Sequence, residues 1–299
     1  MTIAILSRGR CGLSTCVTRY LVAVAAADLL IVILDLILRH IPIVYWEHFL
    51  YVQSIPICNI HAVLLFAATD CSVWFTVTFT FDRFVAICCQ KLKGNYCTER
   101  TAAIVLGTVT LLSCVKNIFW YFMLTGRYLL MTHPWFCAVE QKFYSSEVWA
   151  AIEVIHYIFT PAVPFAIILL LNCLTVRQIV AASRARRRLR GQNNVDCGQR
   201  PRDPEMESRR KSIILLLVIS GNFIALWSLY VVYALCNRVL LLGYKSAAVN
   251  IFVEQIGFML QLLSCCTNTG IYAVTQTKFR EEVRKAVARP FSVLARCVK

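Results

Sequence analysis

Asp28, Ser72 and Asn268 are the residues whose types and placement first suggest chemistry. Each interrupts a long apolar stretch, and polar groups in such stretches are costly enough that they tend to mark function. At about 1.5 Å of rise per helical residue, Asp28 stands roughly 13 Å along its stretch from Arg19. On the same rise Ser72 stands roughly 16 Å from Arg83, and Asn268 roughly 15 Å from Lys278. Three separate segments thus bring an Asp, a Ser and an Asn to one level. Oxygen ligands at one level suit a hard cation such as Na⁺ with waters. A neutral aspartic acid hydrogen-bonded to its neighbours satisfies the same depths, and spacing alone leaves both readings open.

A second group is Phe81-Asp82-Arg83-Phe84. Asp82 can hold the adjacent guanidinium and release it when protonated or when a partner competes. An Asp-Arg pair by itself carries little information. A third group lies at the other end of the same stretches. Asp35 follows Asp28 by two helical turns on one face, and Asp70 lies about 20 Å from Arg83. Arg39, Glu153, His156, Tyr230, Tyr233, Glu254 and Gln261 fall at similar depths. Acidic groups and aromatics around a cavity bind an ammonium by charge and cation–π contact, and Arg39 can take a carboxylate. An amino-acid-like or amine ligand is the expectation, although each of these residues serves equally well in an interhelical hydrogen bond.

Positioning these groups takes helices that cross a membrane. Of the 299 residues, 59% are hydrophobic and 16% charged, against about 25% charged in a soluble domain. Mean hydropathy is +0.64. Apolar runs fall near 17–38, 57–89, 101–124, 148–180, 213–235 and 247–275, each at least as long as the about 20 residues that a membrane-crossing helix needs. They are too long for barrel strands, and only helices or closed barrels satisfy their backbone in lipid. Met1–Leu6 is too short for the apolar core of a signal peptide. Residues 2–6 read as the last turns of a helix whose beginning is absent; a short ordered N-terminus on a six-span protein is the alternative.

The net charge of +15 follows from topology. With loops assigned alternately to two sides, one side holds only Arg39, Lys116, Arg127, Lys142, Arg238 and Lys245. All other Lys and Arg fall on the opposite side, which is therefore expected to be cytoplasmic and to hold both termini. The run Arg184–Arg190 has the composition of a nucleic-acid or nuclear-localisation patch, but between two spans it reads as a solvated face near anionic lipid. No nucleic-acid partner is expected. Residues 182–207 form the only long polar connection, basic and expected to be flexible. Residues 278–288 have apolar Phe279, Val283 and Val287 among charges, the pattern of a helix lying on the membrane surface. Residues 290–299 read as a disordered cytoplasmic tail, in which Cys297 is a candidate for acylation. Of the fifteen cysteines most lie in apolar runs, and no pair has metal-ligand spacing. Cys58 and Cys137 stand on the oxidising side, placed for oxidation.

Taken together these residues resemble the rhodopsin-like (class A) G-protein-coupled receptor family. Leu21 to Leu29, with Asp28, is similar to its second-helix signature, and Asp82-Arg83-Phe84, 25 residues after Cys58, to its third. Phe223 and Trp227 keep the spacing of its sixth-helix aromatic switch, and Asn268-Thr-Gly-Ile-Tyr272 resembles its seventh-helix motif. The resemblance implies an all-α integral membrane protein: a seven-transmembrane helix bundle with the first helix truncated, six complete spans and an amphipathic helix 8. It further implies a Cys58–Cys137 disulfide and an allosteric sodium site at Asp28 with Ser72 and Asn268. Arg83 would engage a heterotrimeric G protein when the sixth helix swings outward, in a plasma-membrane receptor for an extracellular small molecule or peptide. Ser7–Ser14, the segment around Asp28 and the stretch from Val73 to Cys88 are most similar to the orphan receptor 139/142 subgroup, which is associated with aromatic amino acids and the Gq class.

The sequence also departs from the family. Phe84 replaces a Tyr, Leu229 and Thr269 stand where prolines are usual, and Asn172 replaces a Tyr. Prolines are the commonest source of sharp helix kinks, so a receptor fold that no longer signals is one alternative. A six-span transporter or channel is another, but transporters show repeats and broken helices that are not visible in the sequence. No Ser/His/Asp set or HExxH motif converges, and no enzyme activity is expected.

Overall fold

The computed structural model describes residues 1–9, 11–130, 136–143, 151–152, 154–156, 158–192, 204–242 and 251–297. The apolar runs are helices: α1 (Thr2–Ser7), α2 (Thr15–Val44), α3 (Cys58–Cys88), α4 (Glu99–Met123), α5 (Val163–Gln192), α6 (Pro204–Leu242), α7 (Ile251–Thr275) and α8 (Thr277–Cys297). Five of them, α2 to α6, contain stretches long and apolar enough to cross a membrane. The 25 residues of α7 extend about 38 Å, longer than the about 30 Å hydrocarbon core of a bilayer.

Local chemistry starts and stops these helices. Ser14 caps α2 by accepting from the Val17 amide at 3.4 Å, and Thr98 caps α4 through the Thr101 amide at 3.1 Å, each satisfying a donor that the first turn leaves open. Gly12, between α1 and α2, has φ +70°, a conformation that a side chain disfavours. Within α2 the backbone widens into a π-helical stretch, Val32–His40. The chain enters α5 through an irregular turn, Ile158–Ala162, in which Thr160 is extended.

Burial sorts each helix into an inward and a lipid-facing side. In α2, Val17, Tyr20, Leu21, Val24, Asp28 and Ile31 are buried while Leu29, Leu30 and Ile33 are exposed, the spacing of one helical face. The apolar stretch of α3 is 67% buried and that of α4 only 17%, so α3 is the axis of the bundle and α4 lies at its rim. α3 packs against α2, α4, α5 and α6; α6 pairs with α7; and α1 is wedged against α2 and α8. α1 buries Ile5 and Leu6 in one cluster with Phe279 and Tyr272.

Between α4 and α5, β1 (Leu124–Tyr128) pairs antiparallel with β2 (Cys137–Val139), with Leu124 opposite Val139 and Tyr128 opposite Cys137. This hairpin crosses the end of the bundle, tethered by a Cys58–Cys137 disulfide with Cα atoms 5.7 Å apart. A Cβ on Gly126 would come within 2.9 Å of the Pro56 carbonyl oxygen, so this strand reaches its seat only with glycine there.

Two boundaries differ from the sequence reading. Helical backbone continues through α5 to Gln192 and resumes at Pro204, covering both ends of the segment read as a flexible loop over 182–207; residues 193–203 lie outside the described residues. The surface helix runs past Pro290 to Cys297, where disorder was expected. A proline removes one donor and bends a helix without having to end it.

Candidate functional site

The three residues matched by depth meet. Ser72 donates from Oγ to Asp28 Oδ1 at 2.6 Å, and Asn268 donates from Nδ2 to Asp28 Oδ2 at 2.7 Å. All three are buried, so one carboxylate ties α2, α3 and α7 at a common level. Hydrogen bonds to a carboxylate are roughly twice as strong as neutral ones.

At the end of α3 away from the hairpin, Arg83 is folded back onto its neighbour. Its Nε donates to Asp82 Oδ2 at 2.9 Å, and its terminal nitrogen pairs with the same oxygen. Asp82 is wholly buried and Arg83 7% exposed. The other carboxylate oxygen accepts from the Cys16 thiol of α2 at 3.3 Å, and the Cys97 thiol donates to the Asp82 carbonyl at 3.6 Å. Burial, and then the Asp82 charge, push the Cys97 thiol up to about 11 and raise the Tyr96 hydroxyl as well. These shifts reflect low-dielectric surroundings at this end of the bundle, where the Asp82–Arg83 contact is strengthened. Half-buried Phe84 follows on the same turn.

The aromatic pair of α6 is stacked, with Phe223 and Trp227 ring centroids 5.1 Å apart at 27°. Tyr272 of α7 is buried edge-to-face on Phe279 at 6.0 Å. Helix α6 runs unbroken through Leu229, and α7 through Thr269, whose hydroxyl lies 3.1 Å from that of Thr2 in α1. Two polar ties that sequence reasoning missed hold α6 in place. Ser220 donates to Asn172 Oδ1 of α5 at 3.0 Å, and Asn222 donates to Thr267 Oγ1 of α7 at 3.0 Å. Asn172 thus has a role of its own at the position where the family carries Tyr.

Above Trp227 a cavity of roughly 710 Å³, counted with the space at its mouth, opens toward the hairpin end. Asp35, Arg39, His156, Tyr230 and Gln261 line it, as do Phe66, Trp120, Phe136, Thr160 and Phe258. Asp35 and Arg39 form a buried ion pair one turn apart on α2. The Arg39 guanidinium lies 4.9 Å from the Phe258 ring centre and 5.7 Å from that of Phe136, within cation–π range. His156 meets the edges of Phe66 and Trp120, each at 5.4 Å. Tyr233 and Glu254 are half-buried and do not line this cavity, and Glu153 lies outside the described residues.

Asp70 does not line the cavity either. It sits 1% exposed on the far side of its wall. Lys116 of α4 approaches its Oδ2 at 2.8 Å, Asn117 donates to the same atom at 2.6 Å, and Thr160 donates to Oδ1. Lys116 also donates to Thr160 at 2.6 Å. This cluster ties α3 to α4 and to the entry of α5, the interhelical role that sequence reasoning had left open. Lys116 was assigned to an outer loop by charge counting; its long stem reaches inward because the buried carboxylate is its best partner. Counting turns from Asp70 and Lys116 on their two helices would have placed them at one depth.

A comparison with protein families matches residues 1–272 to the 7 transmembrane receptor (rhodopsin family). The chain belongs to that family. It is 26% identical over 206 residues to an FMRFamide receptor of Drosophila melanogaster, covering 63% of this chain and 36% of that protein. It is also 26% identical over 231 residues to "Probable G-protein coupled receptor 142" of Mus musculus, covering 75% of this chain and 53% of that protein. The chain therefore spans about a third to a half of the length of these relatives. As a member of this family with five apolar helices of membrane-crossing length, it is a multi-pass membrane protein.

Proposed function

We propose that the chain transmits an extracellular small-molecule signal, from an amino-acid-like ligand, to a heterotrimeric G protein, with Gq as the first class to test. The single observation that carries this reading is the pairing of two features at opposite ends of α3. One is an aromatic cavity above Trp227; the other is Arg83, held by its neighbour Asp82. Its inner end faces the cytoplasm, as the distribution of Lys and Arg supports, in the plasma membrane with anionic lipid beneath it. Both charges of the Asp35–Arg39 pair border the cavity. A zwitterion exchanges one ion pair for two, whereas a simple amine brings no carboxylate for Arg39. An amino-acid-like ligand is therefore favoured over an amine or a peptide.

Asp28 and Ser72 fit a sodium ion: two carboxylate oxygens and a hydroxyl oxygen converge in a buried place, and hard cations take oxygen ligands. Among the described residues no group of three His, Cys, Asp or Glu is set to hold a metal ion, so a softer metal has no support. The ion would supply positive charge beside Asp28, and Asn268 would hold the carboxylate toward α7.

The test is nucleotide exchange on purified Gq, Gi and Gs heterotrimers by the chain in lipid nanodiscs, with L-tryptophan and L-phenylalanine as probes and tryptamine as the amine. Stimulation by the amino acids and its loss in Arg83→Ala support the reading. A second reading, a receptor fold that no longer signals, rests on the unbroken α6 tied on both sides by Asn172 and Thr267. It predicts no exchange with any probe, and recovery on Ser220→Ala/Asn222→Ala.

A further inference from the structure

The connection from α2 to α3, residues 45–57, is apolar where a water-facing turn is usually polar. Over residues 41–57 the chain carries one carboxylate, Glu47, one imidazole, His48, and no Lys or Arg. Its apolar side chains divide into two sets. Trp46, Phe49 and Val52 pack inward on the core cluster that holds Tyr128 and Phe136. Tyr45, Leu50, Tyr51 and Ile57 are exposed, Tyr51 to 61%.

The backbone of this connection is largely paired within itself. Two short turns run over Trp46–His48 and Leu50–Ser54. The amides of His48, Phe49, Val52, Ile55 and Ile57 donate to the carbonyls of Tyr45, Trp46, Phe49, Val52 and Ile55 at 2.9–3.1 Å. The second turn packs against β1. Depth adds a constraint. Arg19 and Val44 of α2 stand 25 residues apart, as do Arg83 and Cys58 of α3, which is about 38 Å of helix. A bilayer with its headgroups is about 40–45 Å thick, so both ends of the connection emerge within the headgroup layer opposite the basic side.

We propose that this connection is a membrane anchor, seated in the outer leaflet with Tyr45, Leu50, Tyr51 and Ile57 at the boundary between headgroups and acyl chains. It rests on the receptor reading only in calling this leaflet the outer one. Three observations choose lipid over a protein or a peptide ligand. The exposed side chains continue the lipid-facing sides of the helices they join, from Ile41 and Val44 of α2 to Ile60 and Leu64 of α3. The turned, internally bonded backbone can lie in a poorly hydrated layer and offers no strand edge to an extended peptide. None of residues 41–57 lines the cavity, so this surface is not a continuation of its mouth. Tyrosine suits the level because its ring is apolar while its hydroxyl stays wet. Through its inward set the anchor ties the leaflet to the cluster that contains Phe136, a residue of the cavity wall.

The experiment measures the reaction of Glu47→Cys, Leu50→Cys and Tyr51→Cys with a charged, membrane-impermeant methanethiosulfonate, above the wild-type background. Lipid nanodiscs are used because both of their faces are open to the reagent. Glu47→Cys, at an exposed position, should react as an open thiol. Leu50→Cys and Tyr51→Cys should react at least about tenfold slower, because the remaining apolar side chains must leave lipid before the thiol meets the reagent. Equal rates at the three positions overturn the proposal. Protection that exists in intact cells but not in nanodiscs also overturns it, and assigns the surface to a protein. If the variants do not fold, hydroxyl-radical footprinting of the wild type in nanodiscs decides. Oxidation of Tyr45 and Tyr51 at least about tenfold slower than in the unfolded chain supports the anchor, and any rate nearer that of the unfolded chain overturns it. Neither readout uses a ligand or a G protein, so failure here is separable from failure of the receptor reading.

Discussion

Replacing Lys116 by Met, which keeps the stem and removes the ammonium, isolates what holds α3, α4 and the entry of α5 together. Lys116 Nζ lies 2.8 Å from the Asp70 carboxylate. At an effective dielectric of about 20 their attraction is about 6 kcal/mol, before the cost of desolvating both charges. Asn117 and Thr160 still donate to Asp70 in the variant, and the Lys116 side chain is 28% exposed. The loss should therefore fall at the lower end of the range for breaking a buried pair, about 3 kcal/mol. At about 2–4 °C per kcal/mol that is a drop in Tm of roughly 6–12 °C. Asp70→Asn should cost a similar amount, because it strands the ammonium in a site that faces α3. The double variant carries no charge and should lie within about 1 kcal/mol of wild type, as neutral replacements of buried pairs often do. The assay is thermal unfolding in nanodiscs followed by tryptophan fluorescence for all four chains. Additivity of the two single losses to within about 0.5 kcal/mol would refute the coupling, and with it the view that this cluster is an ion-pair tie.

Two shorter predictions concern the middle of the bundle and the Arg83 end of α3. Raising sodium twentyfold against choline at constant ionic strength should raise the Tm of the wild type by a few degrees, reflecting roughly 1–2 kcal/mol of ion binding. Asp28→Asn should abolish that response, and an equal response in both chains would remove the ion from Asp28. Cys97 is raised from 9.0 to about 11, so it stays a thiol below that pH. At about pH 8 on the order of one molecule in a thousand is thiolate, and alkylation by iodoacetamide should be far slower than for glutathione, accelerating as pH climbs toward 11. Asp82→Asn removes the second cause of the shift and should speed the reaction several-fold; wild-type alkylation at the glutathione rate would contradict the half-buried placement beside Asp82.

Much of the site was legible along the chain because helical rise is constant. Asp28, Ser72 and Asn268 were placed at one level by counting from basic residues, and they share two hydrogen bonds. Asp82 and Arg83 are adjacent, so their contact needed no tertiary information. The cavity was legible only in part. Asp35, Arg39, His156, Tyr230 and Gln261 line it, while Asp70, at a suitable depth, faces the other way. Depth is a property of one helix; azimuth depends on how neighbouring helices are rotated, and the widened stretch Val32–His40 resets azimuth within α2 itself.

What the amino-acid order determined alone is the class of molecule. Runs of apolar residues of membrane-crossing length leave the backbone no option but helix, and the basic residues between them bias the orientation. Only the assembled bundle decided which polar groups pair. Lys116 with Asp70, Asn222 with Thr267, Ser220 with Asn172 and His61 with Tyr128 join segments far apart in the chain. Their formation depends on distances of about 3 Å, an accuracy set by side-chain packing between helices and not by any one-dimensional count.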